Sequence, residues 1–330
     1  VFAVAALPLF WIAGKRFGGS RGAWLTMAVV AVSPYALRYG TETRMYSLVM
    51  LLVLAGWLLL DDVLRRPNLG RLAALAAVVT LLLWTHYWSM WLLAVVGVAL
   101  IVRLVHAHRD GRTDDVRMVR NAIFALVVGG LLFVPWLPNL LYQGAHTGTP
   151  WARPVRPTEM LTYTLADLGG TSSQAESVVL GWFVALLMVT GLTGRGLGGA
   201  RIDIDLATRP KGRAFAIAVA GTLALGCVVG YATGATYASR YAAVFIPFAF
   251  LLAALGLAQL ARLPLMIALV LLLGLGAIGG YRNITVDRSD ARRSAEAIEA
   301  RADDDALVVY CPDQLGPSTS RLLSDRLDQV

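Results

Sequence analysis

The chain has 330 residues, of which 57% are hydrophobic and 15% charged, and its mean hydropathy is +0.64. Soluble domains average about 25% charged residues, so this much apolar sequence excludes a single water-soluble core. The formal net charge is +8, but the basic residues lie in short loops between apolar segments. That placement indicates membrane topology and argues against nucleic-acid binding.

Ten apolar segments follow one another along the chain. Several are shorter than the roughly 17 or more residues that a membrane-spanning helix needs, and we expect these to be tilted, partly re-entrant, or extended by interfacial Trp and Tyr. The period-2 alternation typical of a transmembrane β-barrel is missing from the sequence, so we predict an all-α polytopic transmembrane bundle. The segments are residues 1–13, 22–39, 46–60, 72–84, 88–102, 121–135, 177–193, 214–231, 241–260 and 264–280.

The distribution of Lys and Arg orients these segments. Residues 72–102 would form either one long broken helix or two helices separated at Thr85-His86-Tyr87. With two helices, most basic residues fall in one set of alternating loops, which we assign to the cytoplasm. Both ends of the chain are then extracytoplasmic, and we predict a multi-pass protein of the plasma membrane. The loops of the opposite set hold Arg38, Arg44, Arg153, Arg156 and Arg240.

The sequence divides into residues 1–280, the transmembrane helical domain, and residues 281–330, a short extracytoplasmic tail. Ala306–Tyr310 predicts a strand in this tail, which gives it an α/β-like character. The chain opens inside an apolar run without Met and stops soon after the predicted strand. We therefore expect both ends to be truncated.

The segment from Arg38 to Tyr46 is the sharpest polar feature. It places Glu42 and Arg44 among tyrosines between two apolar segments. One interpretation is an ordinary polar loop in the aromatic belt. The other is a polar cavity at the membrane surface that Glu42 and Arg44 line, because ionisable groups at that depth often mark pathways or sites. Arg44 also lies at the start of a helix, where the dipole favours an anion.

Two further turns on the same predicted side carry candidate residues. His86 is either a packing residue or a proton carrier or hydrogen-bond donor. Arg240, next to Tyr241, either extends to lipid headgroups or binds a phosphate through two parallel hydrogen bonds.

A long outer loop, residues 136–176, begins at Trp136. Residues Glu159 to Leu168 predict a short amphipathic helix lying at the membrane interface. Asp167 within it is a weaker carboxylate candidate. The two cysteines, Cys227 and Cys311, and the four dispersed histidines show no spacing of metal ligands, so no metal residues are predicted. No cofactor is predicted with certainty, and a requirement for a divalent metal is left open.

Four short motifs resemble those of polytopic glycosyltransferases of the GT-C class, and more narrowly of the family-39 type related to dolichyl-phosphate-mannose protein mannosyltransferases. They are Glu42 to Tyr46, Thr85 to Tyr87, Pro135 to Pro138 and Ser239 to Tyr241, in the order seen in that family. The resemblance covers residues 1–280. The tail segment from Val308 to Gly316 is similar to that of actinobacterial members.

The resemblance implies an inverting transfer of sugar from a polyprenyl-phosphate donor to an extracytoplasmic protein, lipid or glycan acceptor. Mannose and arabinose both suit an actinobacterial envelope. The family carries its main catalytic Asp in the first outer loop, and the corresponding segment is missing from this sequence. We therefore expect a fragment of a full enzyme, or a chain that cannot perform the reaction alone. Among the residues present, the resemblance implies two catalytic candidates, Glu42 and His86, and four substrate contacts, Arg44, Tyr46, Arg240 and Tyr241. The alternatives are a membrane transporter or lipid flippase, and a catalytically inactive fragment that serves in assembly.

Overall fold

A computed structural model describes residues 1–146, 156–170, 175–197, 201–234, 237–287, 289–303, 306–311, 316–325 and 327–329. Within the predicted outer loop, residues 147–155, which include Arg153, and residues 171–174 lie outside these ranges. The chain divides into two compact units, Val1–Gly280 and Tyr281–Val330.

Helices make up nearly all of the first unit. A short antiparallel hairpin, β1 (Gly194–Gly196) with β2 (Ile202–Ile204), and two 3-10 turns, Val134–Trp136 and Ser239–Val244, interrupt them. The helices that begin in this unit are α1 (Phe2–Ala31), α2 (Pro34–Thr41), α3 (Tyr46–Arg65), α4 (Leu69–Thr85), α5 (Ser89–Arg109), α6 (Thr113–Leu131), α7 (Leu137–His146), α8 (Pro157–Leu168), α9 (Ala175–Thr193), α10 (Pro210–Thr233), α11 (Ile246–Leu257) and α12 (Arg262–Thr285).

Within the described part of the chain, six helical segments are long and apolar enough to cross a membrane. They are Tyr46–Arg65, Ser89–Arg109, Thr113–His146, Ala175–Thr193, Pro210–Thr233 and Arg262–Thr285. Large apolar side chains on their outer surfaces, such as Phe124, Trp182 and Val270, are more than half exposed. So much exposed apolar surface suits lipid rather than water. The predicted α-helical membrane bundle is thereby confirmed, whereas the number of ten spans stays a prediction.

Helix α1 reverses direction at Gly19, where φ is 67°. Trp11 and Trp24 are thirteen residues apart, which is about 20 Å along a continuous helix, yet their ring centroids are 4.8 Å apart. The two halves also approach closely at Gly14, where an added Cβ would lie 2.6 Å from Oγ1 of Thr26. The apolar segments predicted at 1–13 and 22–39 are therefore two antiparallel halves.

The second of those predicted segments, residues 22–39, is not one continuous helix. Helix α1 ends at Ala31, and α2 begins at Pro34 after Ser33, whose side chain accepts a hydrogen bond from the backbone N–H of Ala36. Proline cannot continue a helix but fits its first turn, and serine is a preferred N-cap. The chain thus starts a new helix here, and α2 carries the polar residues that follow.

The predicted separation at His86 is confirmed, because the chain reverses between α4 and α5. Trp84 at the end of α4 donates a hydrogen bond to the carbonyl of Leu132, just beyond the end of α6. Arg103 near the end of α5 instead pairs with Asp115 at the start of α6, at 2.6 Å. Helices α4 and α6 are therefore parallel, and α5 is antiparallel to both.

Helix α11 forms the centre of the bundle. All twelve of its residues are buried, as expected for a helix that is apolar on every side. It crosses α9 through two glycines: a Cβ at Gly256 would collide with the carbonyl oxygen of Leu187, and one at Gly191 with that of Leu252. Backbones this close leave no room for side chains between the helices.

Ion pairs and hydrogen bonds gather several predicted cytoplasmic loops at one end of the bundle. Arg16, beside the α1 reversal, pairs with Asp61 and Asp62 near the end of α3, at 3.0 and 2.7 Å. Arg21 donates to the carbonyl of Leu260 after α11, at 2.8 Å. We call this the basic end.

The second unit is small. It contains α13 (Ala291–Glu299), α14 (Gly316–Thr319), a 3-10 turn (Ser320–Leu322) and a parallel strand pair, β3 (Leu307–Val308) with β4 (Asp328–Gln329). Its core is formed by Ala295, Leu323 and Leu327. The predicted strand at Ala306–Tyr310 is present but shorter.

Candidate functional site

Three of the polar segments singled out in the sequence meet at the end of the bundle opposite the basic end. The Tyr46 ring at the start of α3 lies 5.9 Å from the His86 ring, measured between centroids. The His86 ring lies 5.5 Å from that of Tyr241 in the 3-10 turn. Residues 42–46, 86 and 240–241, widely separated in sequence, therefore share one cluster.

Helix α2 is tied to the 3-10 turn through its tyrosines. The Tyr35 hydroxyl donates to the backbone carbonyls of Ser239 and Arg240, at 3.4 and 3.2 Å. Tyr39 packs between Tyr35 and Tyr46, with centroid distances of 4.4 and 5.2 Å. Burial raises the pKa of the Tyr35 hydroxyl well above its ordinary value, so it stays a hydrogen-bond donor.

Helix α8 brings Asp167 into the same cluster. Its Oδ2 accepts a hydrogen bond of 2.8 Å from Tyr39, its Oδ1 lies 3.5 Å from Nη1 of Arg38, and the Ser239 side chain supplies a further hydrogen bond. Burial raises the pKa of the Asp167 carboxyl, while the two hydrogen bonds and the charge of Arg38 act in the opposite direction. The carboxyl is 8% exposed, and its partners come from two other segments.

The predicted amphipathic helix at residues 159–168 is confirmed as α8, but one of its faces packs inside the protein. A Cβ at Gly181 of α9 would collide with the carbonyl oxygen of Leu165, so α8 and α9 lie in backbone contact. Thr164 forms a buried hydrogen bond of 2.6 Å with the Tyr237 hydroxyl. These contacts turn Asp167 towards the cluster, which hydropathy could not indicate.

His86 is buried, with 7% of its surface exposed. Its Nδ1 accepts a hydrogen bond of 3.2 Å from the backbone N–H of Trp88, so the neutral ring carries its proton on Nε2. Burial, followed by the nearby charge of Arg240, lowers the pKa of His86 to about 4. The geometry favours the hydrogen-bond donor over the proton carrier, the two functional roles considered from the sequence.

Three arginines approach the cluster, and two of them have carboxylate partners. Arg38 pairs with Asp167, and Arg44 pairs with Glu42 through an Nε–Oε1 distance of 3.3 Å. Arg240 packs over the Tyr241 ring, 5.6 Å from its centroid. Among the described residues, Arg240 has no carboxylate within 4.0 Å, and its buried Nε has no hydrogen-bond partner.

Glu42 is the accessible carboxylate of the cluster, since 24% of its side chain is exposed. It follows α2 directly and, with Arg44 and Arg240, lies close enough to act on the Tyr46 hydroxyl. The Tyr46 hydroxyl is therefore within electrostatic reach of all three charged residues named as candidates.

Two contacts extend the cluster towards the predicted outer loop. The Tyr87 hydroxyl accepts a hydrogen bond from Nε1 of Trp136 and donates one to Oε1 of Gln143 in α7, both at 2.9 Å. The start of the 136–176 loop is thus adjacent to the His86 turn. A separate apolar cavity of about 40 Å³ lies inside the bundle between α3, α4 and α5, and its lining includes Val53, Leu60 and Leu82.

All six site residues predicted from the sequence, Glu42, Arg44, Tyr46, His86, Arg240 and Tyr241, thus lie in or beside one cluster. The sequence indicated Asp167 only as a weaker carboxylate candidate and did not single out Tyr35 or Tyr39 individually. Their spacing of four residues on α2 puts both on one helix face, which was the available signal. Nowhere in the described ranges do three His, Cys, Asp or Glu side chains converge as metal ligands.

Comparison of the chain with protein-family models, with curated proteins and with solved structures found no match.

Proposed function

We propose that this protein is an integral membrane glycosyltransferase that moves a sugar from a polyprenyl-phosphate donor to an extracytoplasmic acceptor, with inversion. The observation that carries the proposal is the Arg240 guanidinium. Its charge acts on the Tyr46 hydroxyl, as that of Glu42 does, and on the neutral His86 ring, and its buried Nε has no hydrogen-bond partner among the described residues. A planar guanidinium matches phosphate oxygens with two parallel hydrogen bonds.

The chemistry assigns a role to each neighbour. Loss of the lipid phosphate develops negative charge, which Arg240, Arg44 and the Nε2–H of His86 would stabilise. The acceptor hydroxyl needs a base, and Glu42 is the carboxylate with open access. Tyr46 and Tyr241 would line the donor site.

The proposal includes a topology. We propose ten membrane crossings, with the basic end in the cytoplasm and the cluster outside the plasma membrane. Both ends of the chain would then be extracytoplasmic, and the second unit would belong to that side. Support comes from the separation of the two ends: the Arg16 and Arg21 contacts lie at one, and the His86 cluster lies at the other.

The test is transfer of label in native membranes that contain the protein. Membranes are supplied with a radiolabelled polyprenyl-phosphate sugar, mannose and arabinose in parallel. Label on a protein, lipid or glycan acceptor supports the enzyme. Label that crosses the bilayer without changing carrier supports a transporter or flippase, and label that does neither supports an inactive fragment.

The residue-level version uses Arg240→Ala, which should lower transfer at least about tenfold, because an interaction with a charged group is lost. The matched control is Arg117→Ala. Arg117 is exposed near the start of α6, and its ion pair with Asp114 at 3.1 Å is worth little. Unchanged transfer in the Arg240 variant would remove this residue from the site.

A further inference from the structure

Asp167 is a buried carboxylate to which the proposed reaction gives no task. Its two oxygens are occupied: Oδ2 by the Tyr39 hydroxyl at 2.8 Å, and Oδ1 by Arg38 at 3.5 Å, with Ser239 as a third partner. Because the carboxyl is only 8% exposed and both oxygens have partners, an acceptor hydroxyl has little access to it. Glu42, three times as exposed, is the better base.

What distinguishes Asp167 is the identity of its partners. Arg38 and Tyr39 belong to α2, and Ser239 begins the 3-10 turn, so one carboxylate on α8 ties together two segments that do not follow each other in sequence. Ser239 directly precedes Arg240. Tyr35 on α2 holds the same turn from its backbone side through the carbonyls of residues 239 and 240.

The consequence concerns the direction of the Arg240 guanidinium. A long side chain that binds an anion loses less entropy when its backbone and neighbours are already held in the binding geometry. Asp167 accepts a hydrogen bond from the Ser239 side chain, and Tyr35 donates to the carbonyls of residues 239 and 240. These contacts fix the backbone of the turn before Arg240 binds a ligand. The Nε atom of Arg240 has no hydrogen-bond partner among the described residues.

We propose that Asp167 is a positioning residue, which holds the Ser239–Arg240 turn against α2 so that Arg240 is directed at an anionic, phosphate-bearing ligand. The proposal rests on the proposed function only for the nature of that ligand. Asp167 itself touches no substrate. Removing its charge should loosen the turn and leave the opposite, basic end of the bundle unchanged.

The kinetic test is a double-mutant cycle between Asp167→Asn and Arg240→Lys in native membranes. Alone, Asp167→Asn should raise KM for the polyprenyl-phosphate sugar about tenfold, with a smaller effect on kcat. In the Arg240→Lys background the same change should have less than about a twofold effect, because the residue through which it acts is already altered. Effects that multiply instead would overturn the proposal.

The second measurement needs no transfer activity and so separates this inference from the proposed function. With Cys227 and Cys311 replaced by Ser, Arg240→Cys is labelled with a membrane-impermeant thiol reagent, with and without Asp167→Asn or Ser239→Ala. Labelling at 240 should accelerate several-fold in both variants, because each breaks the tie on the turn. Two controls are matched. Tyr87→Cys lies at the same end, in the turn before α5, where its neighbours Trp136 and Gln143 are not bound to Asp167, and its labelling rate should not change. Thr162→Ala on the exposed face of α8 should have no effect at 240.

An equal acceleration at 87 and 240 would mean general loosening of the bundle and would contradict the positioning role, as would unchanged labelling at 240. If no variant transfers sugar but labelling at 240 responds as expected, the proposed reaction is wrong and the positioning role stands.

Discussion

The Tyr39 hydroxyl donates a hydrogen bond of 2.8 Å to Oδ2 of Asp167, a residue 128 positions further along the chain. Because both groups are buried, the contact fixes α2 against α8 and with them one wall of the candidate site. Removing the donor from a buried acceptor costs more folding free energy than losing a hydrogen bond at the surface, because water cannot replace the buried partner.

Tyr39→Phe should therefore destabilise the protein by about 1–3 kcal/mol while preserving ring packing against Tyr35 and Tyr46. Thermal unfolding of the detergent-solubilised protein measures the loss. The matched control is Tyr163→Phe on α8, where the ring is 45% exposed. If both variants unfold at the wild-type temperature, the hydrogen bond to Asp167 does not contribute to the fold.

His86 should act as a hydrogen-bond donor through Nε2. We expect His86→Gln, whose amide can donate from a similar position, to retain a substantial part of the transfer activity. His86→Phe keeps the ring packing but removes the donor and should lose at least about tenfold. Initial rates on the polyprenyl-phosphate sugar test this. Equal, severe losses in both variants would favour a proton carrier instead.

The same histidine gives the protein a pH dependence of stability. Because burial lowers the folded-state pKa of His86 to about 4 from an ordinary 6.5, the unfolded chain binds the proton first as pH falls. The contribution of His86 to the free energy of unfolding should therefore be constant above about pH 7. Between pH 6.5 and 4 it should decrease by on the order of 3 kcal/mol in all.

The measurement compares wild type with His86→Asn, in which the amide oxygen can still accept the Trp88 N–H. Thermal unfolding of both proteins is followed at pH 7.5 and at pH 4.5. The wild type should lose more stability on acidification than the variant, and an identical loss would show that His86 is not the group responsible. Other titrating groups, including Asp167, are common to both proteins and cancel in the difference.

The crossing of α9 and α11 should not tolerate a side chain. Gly256→Val places atoms against the Leu187 carbonyl and should cost at least about 3 kcal/mol, enough to lower the yield of folded protein sharply. Gly274→Val on α12 is the control, because an added Cβ there meets no atom within 4 Å. Size-exclusion profiles of the two solubilised variants make the comparison. A monodisperse Gly256→Val would mean that the helices can separate without loss of the fold.

The proposed orientation is tested with single cysteines in a chain that lacks Cys227 and Cys311. Arg44→Cys at the cluster should react with an impermeant reagent applied to intact cells. Leu206→Cys, beyond β2 in a predicted cytoplasmic loop and 83% exposed, should react only after permeabilisation. The reverse pattern would invert the topology, and reaction of both in intact cells would contradict the separation of the two ends.

The sequence by itself determined the helical membrane class, because a long apolar segment in lipid must satisfy its backbone hydrogen bonds internally. It also located the reversal at His86, since the distribution of basic loops depends on whether residues 72–102 cross once or twice. The boundary between α1 and α2 was missed because the apolar residues continue across Val32 to Leu37, although Ser33 and Pro34 already marked a new helix start.

Only the tertiary structure decided which charges are satisfied and which are available. Glu42 and Asp167 are both carboxylates near tyrosines, yet one is accessible and the other is enclosed by Tyr39, Arg38 and Ser239. The arginines differ in the same way. Arg38 and Arg44 form ion pairs, whereas Arg240 forms none with the described residues. Hydropathy along the chain reports how deep a residue lies, whereas burial and pairing depend on which distant helices pack beside it.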